Sequence, residues 1–302
     1  MKLFYYQNKI GNLGDDLNPW LWGRLLPGIF DDDPSELFVG IGTLLNHKLP
    51  TVPRKHIFGA GFGYGSPPII DDTFVFHAVR GPQTAKILNI NTKFVLTDPA
   101  ILVRTIDVPK APHTIYKFGF VPHHLSANHF HWGPLCASLN IHYIYPSKDI
   151  DHVLLEMSKC ETLLCEAMHG AIIADALRIP WIPVICYDHI DALKWIDWLR
   201  TINIHYDPIA LPALYENISG SPFYSSVKYH WYKLIYRIGL CRKNPDNPPA
   251  RNSSPRDIQT AAEWILQATT QPACLSDITT CDMLTEKYLS LIECFLQMRG
   301  HS

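Results

Sequence analysis

The chain has 302 residues, of which 47% are hydrophobic, and its 26 basic and 28 acidic side chains give a formal net charge of -2. This length can bury a large core and predicts two domains rather than one. A charge so close to zero excludes a global field that recruits nucleic acid, so any anionic ligand must be bound locally.

Neither a leader segment nor a paired-cysteine motif is visible in the sequence. Residues 1–6 contain no cationic stretch followed by an apolar one, and no apolar run reaches about 18 residues. The eight cysteines are scattered and form no CxxC pair. We therefore expect a reduced, cytoplasmic protein, and contact with the inner face of a membrane stays open.

The amino-terminal half begins with a short strand and a glycine-rich loop. The run 2–6 leads into Gly11-Asn12-Leu13-Gly14-Asp15-Asp16, and a helix with apolar spacing starts at Leu17. A loop that closes on a helix in this way can hold a polar ligand with its backbone. Alternatively, Asp15 or Asp16 only caps the helix, and the pattern does not decide between the two.

Two further apolar strands end in glycine-rich turns, at 37–45 and 56–65. Strands of this kind predict a parallel sheet with a ligand at the carboxyl ends of its strands. The second turn reads Gly59-Ala60-Gly61 and lacks the third glycine of a dinucleotide fingerprint, so a nicotinamide or flavin site is not expected.

Arg80 stands at the end of the next strand, with Gly81-Pro82 starting a helix directly behind it. A guanidinium there is aimed into the same crevice and can grip a carboxylate or phosphate in a forked geometry, unless it only packs. Asp98 precedes a proline and is interpreted as a turn-former, with Arg104 just beyond it.

The carboxyl-terminal half repeats the same rhythm of strands and loops after a proline-containing linker at 106–113. Strands are predicted at 116–121, 141–145 and 162–165, which gives two similar α/β halves with a crevice between them. The pair His123-His124 lacks a third ligand at zinc spacing, so no metal is expected.

His169 and Gly170 lie at the junction between a strand and a helix that ends at Pro180. Free backbone N–H groups and the positive end of the helix dipole favour an anion there, so a histidine at this position can meet a phosphate. A later helix start would bring Lys194 near His169, either as a phosphate contact or as a solvated side chain.

Beyond Pro222 the chain becomes aromatic and basic. Residues 227–240 predict a helix of the type that lies in a membrane interface, or else an ordinary interdomain helix. Residues 244–256 read as a mobile linker, and terminal helices follow at 258–268 and 283–298. The predicted divisions are an amino-terminal Rossmann-like domain, a carboxyl-terminal one and a helical extension, at 1–108, 109–221 and 222–302.

Taken together, these ordered motifs resemble the polysaccharide pyruvyl transferase family, and within it the bacterial exopolysaccharide ketal-pyruvate enzymes. The resemblance covers much of the chain and is carried by the segments 11–16, 40–43, 80–82, 98–100, 169–170 and 174–177. It implies two Rossmann-like domains that face a central cleft, as in the GT-B glycosyltransferases, followed by carboxyl-terminal helices.

The same resemblance implies a reaction. Phosphoenolpyruvate would be the donor co-substrate, with no cofactor, and a sugar diol of an exopolysaccharide or of its lipid-linked repeat unit would be the acceptor. The product would be a pyruvate ketal. A glycosyltransferase that uses a nucleotide sugar in this crevice, and a noncatalytic protein of glycan assembly, are the alternatives.

The resemblance also implies roles for single residues. His169 corresponds to a general acid, with Gly170 beside it in the donor site, and Arg80 and Lys194 correspond to residues that hold the donor. Some members have an arginine where this chain has Ala167, so Arg104 or Lys194 is expected to take the donor carboxylate instead. Asn12, Gly14, Asp15 and Asp16 form the loop expected on the acceptor side.

Overall fold

The computed structural model describes residues 1–7, 11–51, 54–146, 149–216, 222–237 and 251–300, with side chains at 227–235 in the fifth of these segments. The first sheet has four parallel strands, in the spatial order β1 (Lys2–Phe4), β2 (Glu36–Val39), β3 (Arg54–Phe58) and β4 (Phe74–Ala78). Helix α1 (Leu13–Leu25) follows β1, and α2 (Pro82–Leu88) follows β4. A 3-10 helix at Pro99–Thr105 ends this half of the chain.

The second sheet has five parallel strands. Their spatial order is β6 (Ile141–Tyr143), β5 (Tyr116–Val121), β7 (Cys160–Cys165), β8 (Trp181–Ile185) and β9 (Ile209–Ala210). Its helices are α3 (His124–His129), α4 (Trp132–Ser138), α5 (Ile150–Ser158), α6 (Met168–Ala176) and α7 (Ala192–Leu199). Parallel sheets flanked by helices confirm the predicted α/β, Rossmann-like class. The division at 108 and 221 stays a prediction.

Three helices follow the second sheet, namely α8 (Pro222–Arg237), α9 (Pro255–Ala268) and α10 (Ile278–Met298). The linker predicted at 244–256 ends earlier than expected, because Ser254 and Asp257 form a capping box that starts α9 at Pro255. Residues 238–250, which include the end of the predicted basic helix, lie outside the described residues. None of the described helices is both long and apolar enough to cross a bilayer.

A continuous apolar core joins the two sheets. It includes Trp22 of α1, Phe38 of β2, Ile172 of α6 and Phe295 of α10, all at most 5% exposed. The hydroxyl of Tyr288 in α10 donates to the carbonyl of Thr97 at 2.6 Å, which fixes α10 across the first half of the chain. The two sets of strand ends are thereby held in a fixed relation, with a cavity between them.

Candidate active site

A cavity of about 410 Å³ lies where the carboxyl ends of the strands in both sheets meet. Its lining residues come from segments that follow β1, β2, β3, β5, β6, β7 and β8. This is the expected place for a ligand in a parallel α/β protein, because loops converge where strands of one direction end. The residues that carry its chemistry are Asn12, Gly14, Asp15, Thr43, Lys48, Tyr64, His123, His124, His169 and Lys194.

His169 occupies the second position of α6, within the first turn, where the backbone N–H groups have no partner inside the helix. Its side chain is 14% exposed and lines the cavity. The imidazole Nε2 lies 3.5 Å from Oδ2 of Asp98, and neither atom has a hydrogen-bond partner among the described residues. The Asp98 carboxylate therefore faces this edge of the imidazole ring.

The other imidazole nitrogen of His169 faces the first turn of α1, which contains Gly14. A β-carbon at Gly14 would lie 2.1 Å from Nδ1 of His169, so the ring packs directly on the glycine backbone. Only glycine leaves room for the imidazole at this point, which explains the residue type in the loop. The histidine is therefore held between Asp98 on one side and Gly14 on the other.

Asp98 has a second role that the sequence did not indicate. Its Oδ1 accepts the N–H of Ala100 at 3.0 Å, as expected of a turn-former that starts the 3-10 helix. The other carboxylate oxygen faces His169. Asp98 and His169 belong to different halves of the chain and meet only because the halves pack together. The local sequence around either residue does not predict this contact.

Helix α1 begins at Leu13 rather than at the predicted Leu17, so Asp15 and Asp16 lie in its first turn. Asn12 is the N-cap, and its side-chain oxygen accepts the N–H of Gly14 at 3.3 Å. Asp16 accepts the N–H of Asn12 at 2.7 Å and closes the loop, and it does not line the cavity. Asp15 does line the cavity, where the Asn12 amide donates to its Oδ2 at 2.7 Å.

Asp15 has a perturbed carboxyl group. Burial raises its pKa from 3.8 to about 6, while nearby His169, the Asn12 amide and Lys194 oppose the rise. A carboxyl group with this pKa exchanges protons readily near neutral pH, which suits a general base or acid. His169 and Asp15 both line the cavity and are its candidate groups for proton transfer.

The raised pKa makes stability depend on pH in a predictable direction. The folded state binds the Asp15 proton more tightly than the unfolded state, so this group stabilises the fold below pH 3.8 and loses that contribution as pH rises to about 6. We expect the free energy of unfolding of Asp15→Asn, relative to wild type, to increase by roughly 2–3 kcal/mol between pH 4 and pH 7. Urea unfolding of both proteins across this range measures the difference, and a difference that stays constant with pH would contradict the shifted pKa.

Lys194 reaches the cavity from α7. Its Nζ donates to the hydroxyl of Tyr64 at 2.5 Å and lies 4.2 Å from the centre of that ring. The lining contains two lysines and three histidines, with Asp15 as its acidic residue. This balance favours an anionic ligand. Among the described residues, no group of three or more His, Cys, Asp or Glu side chains could hold a metal ion.

The position expected for Arg80 needs a correction, because its side chain is fully buried and does not line the cavity. The guanidinium pairs with Asp197 at 3.2 Å and donates to the carbonyl of Phe62 at 2.7 Å. Its Nη1 lies 3.4 Å from the hydroxyl of Thr43, which does line the cavity. Arg80 therefore stands one side chain behind the cavity wall, where Asp197 neutralises its charge.

Arg104 and Gly170 are also outside the cavity lining. Arg104 pairs with Asp282 of α10 at 2.8 Å and donates to the Thr285 hydroxyl at 3.3 Å, so it is not available to a donor carboxylate. A β-carbon at Gly170 would lie 2.9 Å from Cγ1 of Val121, so this glycine permits close packing of α6 on β5.

Glu166 is a buried carboxyl group that the sequence did not single out. Its Oε2 accepts the N–H of His123 at 2.9 Å and its Oε1 accepts the N–H of Cys186 at 3.0 Å. Burial raises the pKa of Glu166, although these hydrogen bonds oppose the rise. Glu166 thereby ties together the segments that follow β5, β7 and β8, from which His123, His169 and Lys194 reach the cavity.

Residues 12–189 match the family model described as polysaccharide pyruvyl transferase. The chain belongs to this family. It is therefore a transferase that uses a pyruvate donor and a polysaccharide acceptor, and the cavity around His169 is the candidate active site of a pyruvyl transferase. The matched range contains every lining residue named above except Lys194.

Two curated proteins are similar to this pyruvyl transferase. The succinoglycan biosynthesis protein ExoV of Rhizobium meliloti (strain 1021) is 39% identical over 216 residues, which are 70% of this chain and 68% of that protein. The uncharacterized protein L143 of Acanthamoeba polyphaga mimivirus is 27% identical over 146 residues, which are 43% of this chain and 49% of that protein. No solved structure matches the chain.

Proposed function

We propose that this pyruvyl transferase moves the enolpyruvyl group of phosphoenolpyruvate onto two hydroxyls of one sugar in an exopolysaccharide, or in its lipid-linked repeat unit, and forms a pyruvate ketal. The observation that carries the proposal is the cationic cavity at the start of α6. Its volume of about 410 Å³ suits a small donor together with part of a sugar. The name of ExoV, a succinoglycan biosynthesis protein, supports an exopolysaccharide as the acceptor.

Phosphoenolpyruvate carries a phosphate and a carboxylate, and the cavity offers matching groups for both. Lys194, Lys48 and the N–H groups at the start of α6 are the candidate partners. A hydrogen bond assisted by charge contributes about 1.5–3 kcal/mol, so two or three such contacts suffice for a small anion of this kind. Because phosphoenolpyruvate is a metabolite of the cytoplasm, we propose that the reaction takes place there.

The proposed chemistry begins with a proton. Protonated His169 gives a proton to the methylene carbon of the donor, which becomes a methyl group, and an oxocarbenium-like centre forms at the adjacent carbon. A sugar hydroxyl adds to that centre while Asp15 accepts its proton. The bond between that carbon and the phosphate oxygen then breaks. The second hydroxyl adds to the same carbon and closes the ketal, and its proton leaves with the phosphate. Asp15 returns its proton to His169.

Asp98 and Arg80 act in this proposal without touching the donor. Asp98 faces Nε2 of His169 and supports the orientation of the ring. Arg80 supports Thr43 from behind the wall of the cavity, and its partner Asp197 lies one turn after Lys194 in α7. Both are positioning residues.

Replacement of Lys194 tests the donor site. We expect Lys194→Met to weaken phosphoenolpyruvate binding by about 10- to 150-fold, because one charge-assisted contact is lost. Calorimetric titration with phosphoenolpyruvate measures the dissociation constant. The matched control is Lys86→Met on the exposed side of α2, which should bind as wild type does. Equal binding by both variants would exclude Lys194 from the donor site.

The same titration separates the proposed donor from the alternative. A glycosyltransferase would bind a nucleotide sugar and would not bind phosphoenolpyruvate. Binding of a nucleotide sugar without binding of phosphoenolpyruvate would therefore overturn the proposal. Release of phosphate from phosphoenolpyruvate that requires a saccharide acceptor would support it and would exclude a noncatalytic protein of glycan assembly.

A further inference from the structure

Helix α8 exposes an apolar stripe to solvent. Val227, Trp231 and Leu234 are 54%, 60% and 56% exposed. With Ile235 they occupy positions i, i+4, i+7 and i+8, which fall on one face of a helix. A surface helix of a globular protein normally turns such a face toward the core, so this one requires another occupant.

The remainder of α8 is basic and aromatic. Lys228 and His230 border the apolar stripe on its two sides, and Lys233, on the far side of the helix, donates to the hydroxyl of Tyr229. No Asp or Glu occurs in the sequence between Glu216 and Asp246, whereas Lys or Arg occurs at 228, 233, 237, 242 and 243. This segment is strongly cationic within a chain whose net charge is -2.

We propose that α8 docks the enzyme on the surface of a bilayer that contains anionic phospholipid. The apolar stripe enters the boundary between head groups and acyl chains, and the lysines lie among the phosphates. Tryptophan and tyrosine favour this boundary, because their rings are apolar and their N–H or O–H group can still reach water.

The positive charge of this segment favours a bilayer, rather than a second copy of the chain, as the partner that covers the apolar stripe. Two α8 helices packed face to face would bring two cationic segments together without an acidic partner from either segment. A bilayer with anionic head groups offers an apolar region for the stripe and negative charges for the lysines. The proposal goes beyond the reaction proposed above, and a lipid-linked acceptor would lie at the same surface as the docked enzyme.

Flotation of the full-length protein with vesicles tests the docking. We expect binding to vesicles of phosphatidylcholine and phosphatidylglycerol, and much weaker binding to phosphatidylcholine alone or at high salt. Lys228→Gln combined with Lys233→Gln should lower the partition coefficient by about 10- to 30-fold. Trp231→Ser combined with Leu234→Ser should lower it as well, because the apolar stripe is lost.

Helix α9 supplies the matched control. Trp264 and Leu266 are also exposed, at 43% and 46%, but their helix carries Asp257 and Glu263. Trp264→Ser combined with Leu266→Ser should bind vesicles as wild type does. The circular dichroism spectrum checks that each variant folds, and phosphate release with a soluble acceptor checks catalysis separately.

Three outcomes would overturn the docking proposal. Wild-type protein could fail to float with anionic vesicles, the α8 and α9 variants could bind equally, or the α8 variant could convert a dimer to a monomer in sedimentation while vesicle binding is unchanged. The last result would assign the stripe to a second copy of the chain. None of these outcomes depends on whether phosphoenolpyruvate is the donor.

Discussion

Replacement of His169 by glutamine should lower kcat/KM for acceptor-dependent phosphate release from phosphoenolpyruvate by about 10²–10⁴. Glutamine keeps a polar side chain of similar reach between Asp98 and Gly14, but it cannot carry the proton that the donor carbon must receive. The binding site for the donor phosphate stays in place, so the dissociation constant of phosphoenolpyruvate should change far less than turnover does. A phosphate-release assay and a binding titration on the same preparation separate the two effects.

His152→Gln is the matched control for this substitution. His152 is exposed on α5 and does not line the cavity, so its variant should turn over at the wild-type rate. Normal turnover by His169→Gln would remove the histidine from the chemistry and leave Asp15 as the proton-transfer group of the cavity. A loss of turnover together with a loss of the folded circular dichroism spectrum would instead assign His169 a structural role.

The parts of the site that sequence could predict are those set by local pattern. Apolar runs followed by glycines or a polar turn identify the ends of parallel strands. In a parallel sheet the carboxyl ends of all strands lie at the same edge. His169 follows β7, and the loop with Gly14 and Asp15 follows β1. This convergence places each of them at the edge of its own sheet, and the predicted crevice between the two halves then brings the two edges together.

The parts that sequence could not predict depend on partners far along the chain. Arg80 has the expected place at the end of β4, but the carboxylate that neutralises it is 117 residues away in α7. Arg104 is taken by Asp282 of α10, and Asp98 meets His169 only because the two halves pack together. A charged side chain at a strand end can face a ligand or a buried partner, and the residue type is the same in both cases.

Removal of Asp197 should cost the protein about 3–5 kcal/mol of unfolding free energy. Its side chain is 1% exposed, and that of Arg80 is fully buried. Asp197→Ala would leave the guanidinium charge without a counter-charge in the core, and the N–H groups of Gln83 and Thr84 would lose the acceptor they share at 2.7 and 3.1 Å. Urea unfolding at a pH where both groups are ionised measures the loss.

The two partners should not be equally sensitive. Asp197 keeps the two N–H groups at the start of α2 and the Thr84 hydroxyl when Arg80 is lost. When Asp197 is lost, the partners that Arg80 keeps among the described residues are neutral, namely the Phe62 carbonyl and the Thr43 hydroxyl. Arg80→Met should therefore be less destabilising than Asp197→Ala, and the double variant less destabilising than the sum of the two.

The exposed ion pair between Arg24 and Asp151 provides the comparison. Its members are 42% and 46% exposed, so Arg24→Met should lower the unfolding free energy by at most about 1 kcal/mol. Equal losses for Arg24→Met and Asp197→Ala would mean that water reaches the Arg80 guanidinium. The arginine would then be close enough to the cavity to meet the donor directly, as the family resemblance implies. A large loss for Asp197→Ala that Arg80→Met partly relieves would instead keep Arg80 behind Thr43, as a support of the wall rather than a ligand of the phosphate.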